Sequence, residues 1–342
     1  MLLEKLSNAH GVAGNEIGVA KLLKELLAEH VDEFQTDYLG NLIAIKGKDK
    51  PGPKVMIAAH MDEVGLMITS IERNGLLKFR PVGGVDPRVL VSKPVRIGDN
   101  LVKGVIGAKP IHLQRPNERE VALGFDQLFI DIGAKSDDDA KKQVKLGDYC
   151  SFETEFKKIN DTLCKGKSFD DRVGCALLAD ILKEDYPFPL YGVFTVQEEV
   201  GLRGATVAAY TVNPDLAIVL EGTSASDVPE SEEHRFSTRL GGGPALSIID
   251  ASIIVQKNLL KAVVKIAEKN EIKYQYRQTS VGGNDAGKIH LTREGIDTFT
   301  ISVPCRYIHS PVSFMNIEDF NSTRKLMGYI LKEIGEAKGG LI

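Results

Sequence analysis

The chain reads as an α/β protein, a mixed sheet flanked by helices and interrupted by a small inserted β-barrel-like domain. Three observations predict this. Buried-strand runs alternate with helical patterns after residue 166, and the run KVMIAA at 54–59 belongs to the same rhythm. From about 66 to 165 the texture changes to short alternating runs broken by Gly and Pro. Finally, 342 residues exceed the usual span of one hydrophobic core, so more than one domain is expected. The expected division is a discontinuous α/β domain at 1–65 and 166–342, with the β-rich insertion at 66–165.

Each element has a local reason. Residues 16–30 repeat apolar positions at i, i+3 and i+4, an amphipathic helix with Asn15 as N-cap. A hairpin comes next, with LGN at 39–41 as its turn and NLIAIKG as its second strand. KVMIAA is a continuous buried strand with His60 just past its end. In the insertion, GLMITSI, PVRIGDNLVKGVIG and QLFIDIGA alternate as half-buried strands do, and Ser136 caps a helix over 136–144. Beyond 166 the pattern predicts helices at 171–184, near 203–210, in QKNLLKAVVKIAEKN, in NDAGKIHLTRE and at 316–334. Strands are predicted at 191–196, at 216–220, in IKYQYRQ and in IDTFTISV.

Composition narrows the function classes. Hydrophobic residues at 43% and charged residues at 26% suit a soluble globular enzyme. The net charge of −4, with Lys and Arg scattered, argues against a nucleic-acid binder. No apolar stretch approaches the roughly 20 residues that span a bilayer, and MLLEKLSNAHG has no signal-peptide pattern. Four cysteines without a CxxC pair fit reduced, buried thiols in a cytoplasmic protein.

The chemistry-bearing residues stand at strand ends and at a helix start, where α/β proteins place their sites. In AAHMDEVG, His60 and Asp62 point the same way along an extended chain, so Asp62 is expected to orient a metal-bound His60 through its far nitrogen. Asp170 in SFDDRVG is expected to bridge two metals, with Asp171 and Arg172 in support, although acids at a helix start also serve as caps. Glu198 and Glu199 come after the strand YGVFTV, and adjacent side chains point apart, so one can ligate while the other faces water. Glu221 ends the run LAIVL, and His309 lies in the loop RYIHSP. Two His, one shared Asp and two terminal Glu make a ligand set for two divalent cations, Zn2+ or Co2+, with Mn2+ also compatible. That leaves Glu198 as a general base for hydrolysis. The other five histidines occupy helix, loop or helix-end settings and are expected to be structural or superficial.

With AAHMDEVG, FDDRVG, QEEVGLRGA, GGNDAGKIH and IHSPVSF in this order over nearly the whole chain, the sequence resembles the tetrahedral aminopeptidases, which include glutamyl and deblocking aminopeptidases. The resemblance implies that His60 ligates one metal and Asp170 bridges both, that Glu199 and His309 hold the second, and that Glu198 is the base. It also implies that Glu221 completes the His60 site, where many members carry the shorter Asp, and that the family's GTDA motif appears here as GGNDA around Asp285. It further implies that the β insertion mediates dimerisation and that dimers assemble into a dodecamer acting on peptides. Lys257 and Arg277 are candidates to attract an acidic N-terminal residue; neutral aliphatic termini are the alternative. An endoglucanase-type glycosidase would need two carboxylates and no metal, leaving the histidines without a purpose. A non-catalytic assembly protein would have no use for Glu198.

Overall fold

The structure, a computed structural model, describes residues 1–229, 231–278 and 282–337. Its larger sheet has 11 strands, and four parallel ones form its middle: Leu190–Thr195, Val55–His60, Leu216–Ser224 and Asp297–Arg306. The hairpin Glu33–Thr36 and Leu42–Lys46 extends one side antiparallel. Ser313–Asn316, Leu163–Gly166 and Lys157–Lys158 extend the other.

Successive side chains of Val55–His60 explain the layering. Val55, Ile57 and Ala59 join a core with the helices Leu2–Asn8, Ile17–Leu27, Phe169–Ile181, Lys257–Lys269 and Ile317–Glu336. Met56 and Ala58 face a second core built on Arg203–Val212 and Ala286–Ile289. A strand buried on both faces must be apolar at every position, which is why this one reads as an unbroken run.

Between the two arms of this sheet the chain closes a barrel of six strands: Gly65–Ile71, Leu77–Val82, Leu128–Asp131, Val102–Ala108, Pro94–Ile97 and Tyr149–Phe152. Leu66, Leu77, Ile97, Ile106 and Ile130 fill its separate core. Strand pairing with the large sheet resumes at Lys157, before the residue-166 boundary read from composition.

Local differences from the sequence reading have plain causes. The helix after Asn15 is Ile17–Leu27, and Glu16 rather than Asn15 stands at its start. The Glu16 carboxylate accepts from Gly14 N–H and Gln197 N–H, so it ties the helix entry to the strand end carrying Glu198. Ser136 does cap its helix, which is only Asp137–Ala140. The strand expected at 216–220 continues to Ser224, because Asp297–Arg306 pairs along its full length. Glu221 therefore lies within a strand. His60 likewise is the last residue of its strand rather than the first beyond it. Cys150, Cys164, Cys175 and Cys305 are all reduced and buried. Among the described residues, no helix is long and apolar enough to cross a membrane.

Candidate metal centre

The parallel strands deliver their carboxyl ends to one place. His60 is paired in register with Thr195, just before the Glu198–Glu199 turn, and Glu221 projects from the neighbouring strand. Asp170 enters from the start of Phe169–Ile181, where Asp170 and Asp171 depart from helical backbone angles and are joined by a cis peptide. Gly222 permits this approach: a Cβ there would stand 3.0 Å from the Asp170 Cα and from the Phe169 carbonyl.

Two clusters result, and they share Asp170. In the first, His60 Nε2 lies 3.3 Å from Asp170 Oδ1 and 3.6 Å from Glu221 Oε2. In the second, His309 Nε2 lies 3.4 Å from Asp170 Oδ2 and 3.3 Å from Glu199 Oε2. Within each cluster the donor atoms lie within 4.8 Å of one another. Among the described residues, only His60 and His309 of the seven histidines join such groups. Glu198 lines the same cavity, of about 520 Å³, beside His60, Asp170, Glu221 and His309.

Asp62 sits behind the clusters. Its two oxygens accept the backbone N–H groups of Glu198 and Glu199, each at 3.0 Å. Its carboxylate is 3.5 Å from His60 Nδ1, while its own carbonyl is nearer, at 3.1 Å. One residue thus fixes the imidazole and both glutamates.

The electrostatics suit cations. Burial pushes Glu198 and Glu221 well above the usual carboxylate range, and pushes Glu199 up to about 7 against the pull of His309. Burial opposes the charged forms of Asp170 and the imidazoles too, but the charge of Glu221 beside His60 and the pairing of both imidazoles with Asp170 win. Asp170 is held well below its ordinary value, His60 is raised, and His309 is raised to about 9. Glu199 Oε1 and Glu221 Oε1 are buried without a hydrogen-bond partner in the protein. Unpaired buried carboxylate oxygens beside imidazoles are costly alone and are the donor set that borderline divalent cations take. The residues present therefore fit two such ions.

Sequence reasoning missed the support. Asp171 was expected to pair with Arg172, but it accepts from His60 N–H and Gly174 N–H instead. Arg172, fully buried, donates to the carbonyls of Leu6, Ala9 and Met61 and lies 3.6 Å from Glu63. Lys167, also buried, donates to both Glu63 oxygens at 2.7 Å and to the Ala9 carbonyl, while Ser168 donates to Glu63. Glu63, Lys167 and Ser168 thus brace the turn that carries Asp170. The available signal was the extra charge beside the candidate ligands in two motif segments, Glu63 in AAHMDEVG and Lys167 and Arg172 in GKSFDDRVG. Asp285 is buried, accepts from Thr195 Oγ1 at 2.5 Å and has its other oxygen unpaired, with burial raising it to about 6. Arg277 lines the cavity, whereas Lys257 is exposed at a helix start and does not.

The M42 glutamyl aminopeptidase family model matches residues 40–326. A protein of Acetivibrio thermocellus, provisionally described as an aminopeptidase, is 41% identical, covering 95% of this chain and 96% of its own length. The lysyl aminopeptidase of Pyrococcus furiosus is 32% identical over 97% of this chain and 96% of its own. The glutamyl aminopeptidase of Lactococcus lactis subsp. cremoris is 30% identical over 98% and 96%. Among solved structures, the TET aminopeptidase of a marine sediment archaeon (Thaumarchaeota archaeon SCGC AB-539-E09) superposes with a TM-score of 0.94, at 36% identity over 98% of this chain and 97% of its own. The TET1 peptidase of Pyrococcus horikoshii, described as assembling into a tetrahedron or a large octahedral shell, gives 0.86 at 32% identity, over 96% and 98%. A Thermotoga maritima protein described as an endoglucanase gives 0.81 at 38% identity, over 99% and 100%.

Proposed function

The chain is a metallo-aminopeptidase belonging to the M42 glutamyl aminopeptidase family, and from that premise we propose that it releases N-terminal residues from peptides with two divalent cations and Glu198 as general base. The observation that supports this reading is the pair of clusters sharing Asp170, with Glu198 on the same cavity wall. His60, Asp170 and Glu221 would hold one ion, and Asp170, Glu199 and His309 the other, as Zn2+, Co2+ or Mn2+. When bound, the ions supply Lewis-acid polarisation of the scissile carbonyl and a lowered pKa for the attacking water.

The remaining chemistry belongs to side chains. Glu198, whose buried carboxyl binds a proton readily, takes one from the attacking water and passes it to the leaving amine. Asp62 holds the peptide N–H of Glu198, so the base keeps its direction through both transfers. His60 and Glu199 are fixed by the same residue.

Arg277 and Arg235 line the cavity and suit an acidic N-terminal side chain. Asp250 lies 3.5 Å from Arg277 and offsets part of that charge, which favours neutral aliphatic termini as the competing preference. Relatives named for glutamyl and for lysyl residues show that the family name does not decide the matter. We further propose a dodecamer built from barrel-mediated dimers, whose enclosed sites would admit only unfolded peptides in the cytoplasm. The glycosidase reading gives His60 and His309 nothing to do.

One experiment tests the core of this. After chelation, activity on aminoacyl p-nitroanilides is expected to vanish and to return with zinc, cobalt or manganese, with no release from a cellulosic substrate. Glu198→Gln is expected to retain two ions by elemental analysis while kcat falls about 10³-fold. Chelator-insensitive sugar release, or a Glu198→Gln enzyme with wild-type kcat, overturns the proposal.

A further inference from the structure

A second opening lies beside His309. The imidazole turns Nε2 toward Asp170 and Glu199, while its Nδ1 edge faces the barrel, 3.2 Å from where a Cβ on Gly84 would stand. Beyond that edge a groove of about 540 Å³ runs between the barrel segment 84–93 and the turn 307–312. It shares Ile308 and His309 with the 520 Å³ cavity, so the two spaces adjoin at the turn that carries His309.

Their linings differ. The cavity presents Ser224, Ser226, Arg277 and Asn284. The groove presents Val89, Val91, Tyr307, Pro311 and Val312, and Val89, Val91 and Tyr307 are 36%, 37% and 51% exposed. Charge in the groove comes from Asp86, Arg88 and Lys93, and the first two already form an ion pair with each other. An enzyme that cuts after the first residue must seat the N-terminal residue on one side of the scissile carbonyl and the rest of the chain on the other. The polar cavity accommodates a charged amino end. The apolar groove suits the remainder of the peptide.

We infer that the groove between the barrel and the 307–312 turn binds the peptide beyond the scissile bond, and that Val89, Val91 and Ile308 select an aliphatic side chain at its second residue. The inference rests on the aminopeptidase reading already given and adds a preference that the metal cluster cannot supply. Apolar pockets discriminate by burial, typically about tenfold to a few hundredfold, and a half-open groove belongs at the low end. The barrel would then contribute directly to substrate selection.

The test uses the metal-loaded, full-length protein and one fixed N-terminal residue carried on three substrates: its amide, its dipeptide with Gly, and its dipeptide with Leu. The wild type is expected to show kcat/KM about tenfold higher for Leu than for Gly at the second position. In Val91→Asp this ratio is expected to fall toward one, and in Val91→Leu to persist. No metal-dependent turnover of even the amide by the wild type would remove the aminopeptidase reading itself. Turnover of the amide with equal rates on the two dipeptides would overturn only the groove assignment. So would an unchanged Leu-to-Gly ratio in Val91→Asp. Loss of the ratio together with a changed oligomer mass would assign the groove to a subunit contact and overturn the proposal as well.

Discussion

The barrel and the α/β body solve the same packing problem with opposite treatments of charge. Among the described residues, the barrel between Gly65 and Phe152 buries no Asp, Glu, His, Lys or Arg, and its one buried polar side chain apart from the Cys150 thiol is Ser151. Its ion pairs, such as Lys141 with Asp137, lie on the outside. The α/β body buries His60, Asp62, Glu63, Lys167, Asp171, Arg172 and Glu221 within a few residues of its strand ends. Burying charge is unfavourable unless every group is paired. A fold that gathers this many buried charges around one set of strand ends, and none in its neighbouring domain, marks that place as functional.

Breaking one member of the buried scaffold gives the largest expected effect. Lys167→Met would remove the ammonium that donates to both Glu63 oxygens, leaving that buried carboxylate to Ser168, Gly11 N–H and the more distant Arg172, and would leave the Ala9 carbonyl to Arg172 alone. Removing one partner of a buried pair costs about 3–5 kcal/mol, to be read as a lower urea midpoint at unchanged slope. A loss no larger than that of a surface variant would remove Lys167 from the scaffold.

A smaller effect tests the seam between the regions. His10 Nδ1 lies 2.6 Å from Ser151 Oγ of the barrel, and burial, reinforced by Lys167, lowers the imidazole from 6.5 to about 4. Below pH 6.5 the unfolded chain binds a proton that the folded chain refuses until about pH 4. The contribution of His10 to stability therefore falls as pH drops through that window and is constant above it. Allowing for partial exposure, the contribution is about 1–2 kcal/mol. Urea titrations at pH 7 and 5 should show a change in midpoint that is less favourable in the wild type than in His10→Asn, since the raised Glu199 and Asp285 act in the opposite sense and equally in both proteins. Equal changes in the two proteins would exclude His10 as a contributor.

The smallest effect belongs to the barrel's surface. Lys141→Ala removes an exposed ion pair to Asp137, and the urea midpoint is expected to stay at the wild-type value. A measurable loss would mean that the barrel, too, depends on charge, and the contrast between the regions would weaken.

Most of the architecture was legible because burial leaves a local trace. KVMIAA reads as a strand because both faces of Val55–His60 are covered, and the insertion reads as β because its strands alternate. What failed locally was set by distant partners. Glu16 starts the first long helix because its carboxylate also serves Gln197, 181 residues away. Glu221 stays within a strand because Asp297–Arg306 pairs past it. Arg172 turns from its neighbour Asp171 to Glu63 and four carbonyls.

The sequence by itself determined the elements and the residue types that bind divalent cations, since periodicity, strand ends and ligand chemistry are properties of short segments. Only the tertiary structure decided that His60, Asp170, Glu199, Glu221 and His309 lie in two clusters around one shared carboxylate. It alone joined Asp62 to Glu198 and Glu199 across more than a hundred residues and opened an apolar groove between barrel and turn. Those facts depend on through-space distances of a few ångströms, which strand register and helix packing set and which no local pattern records.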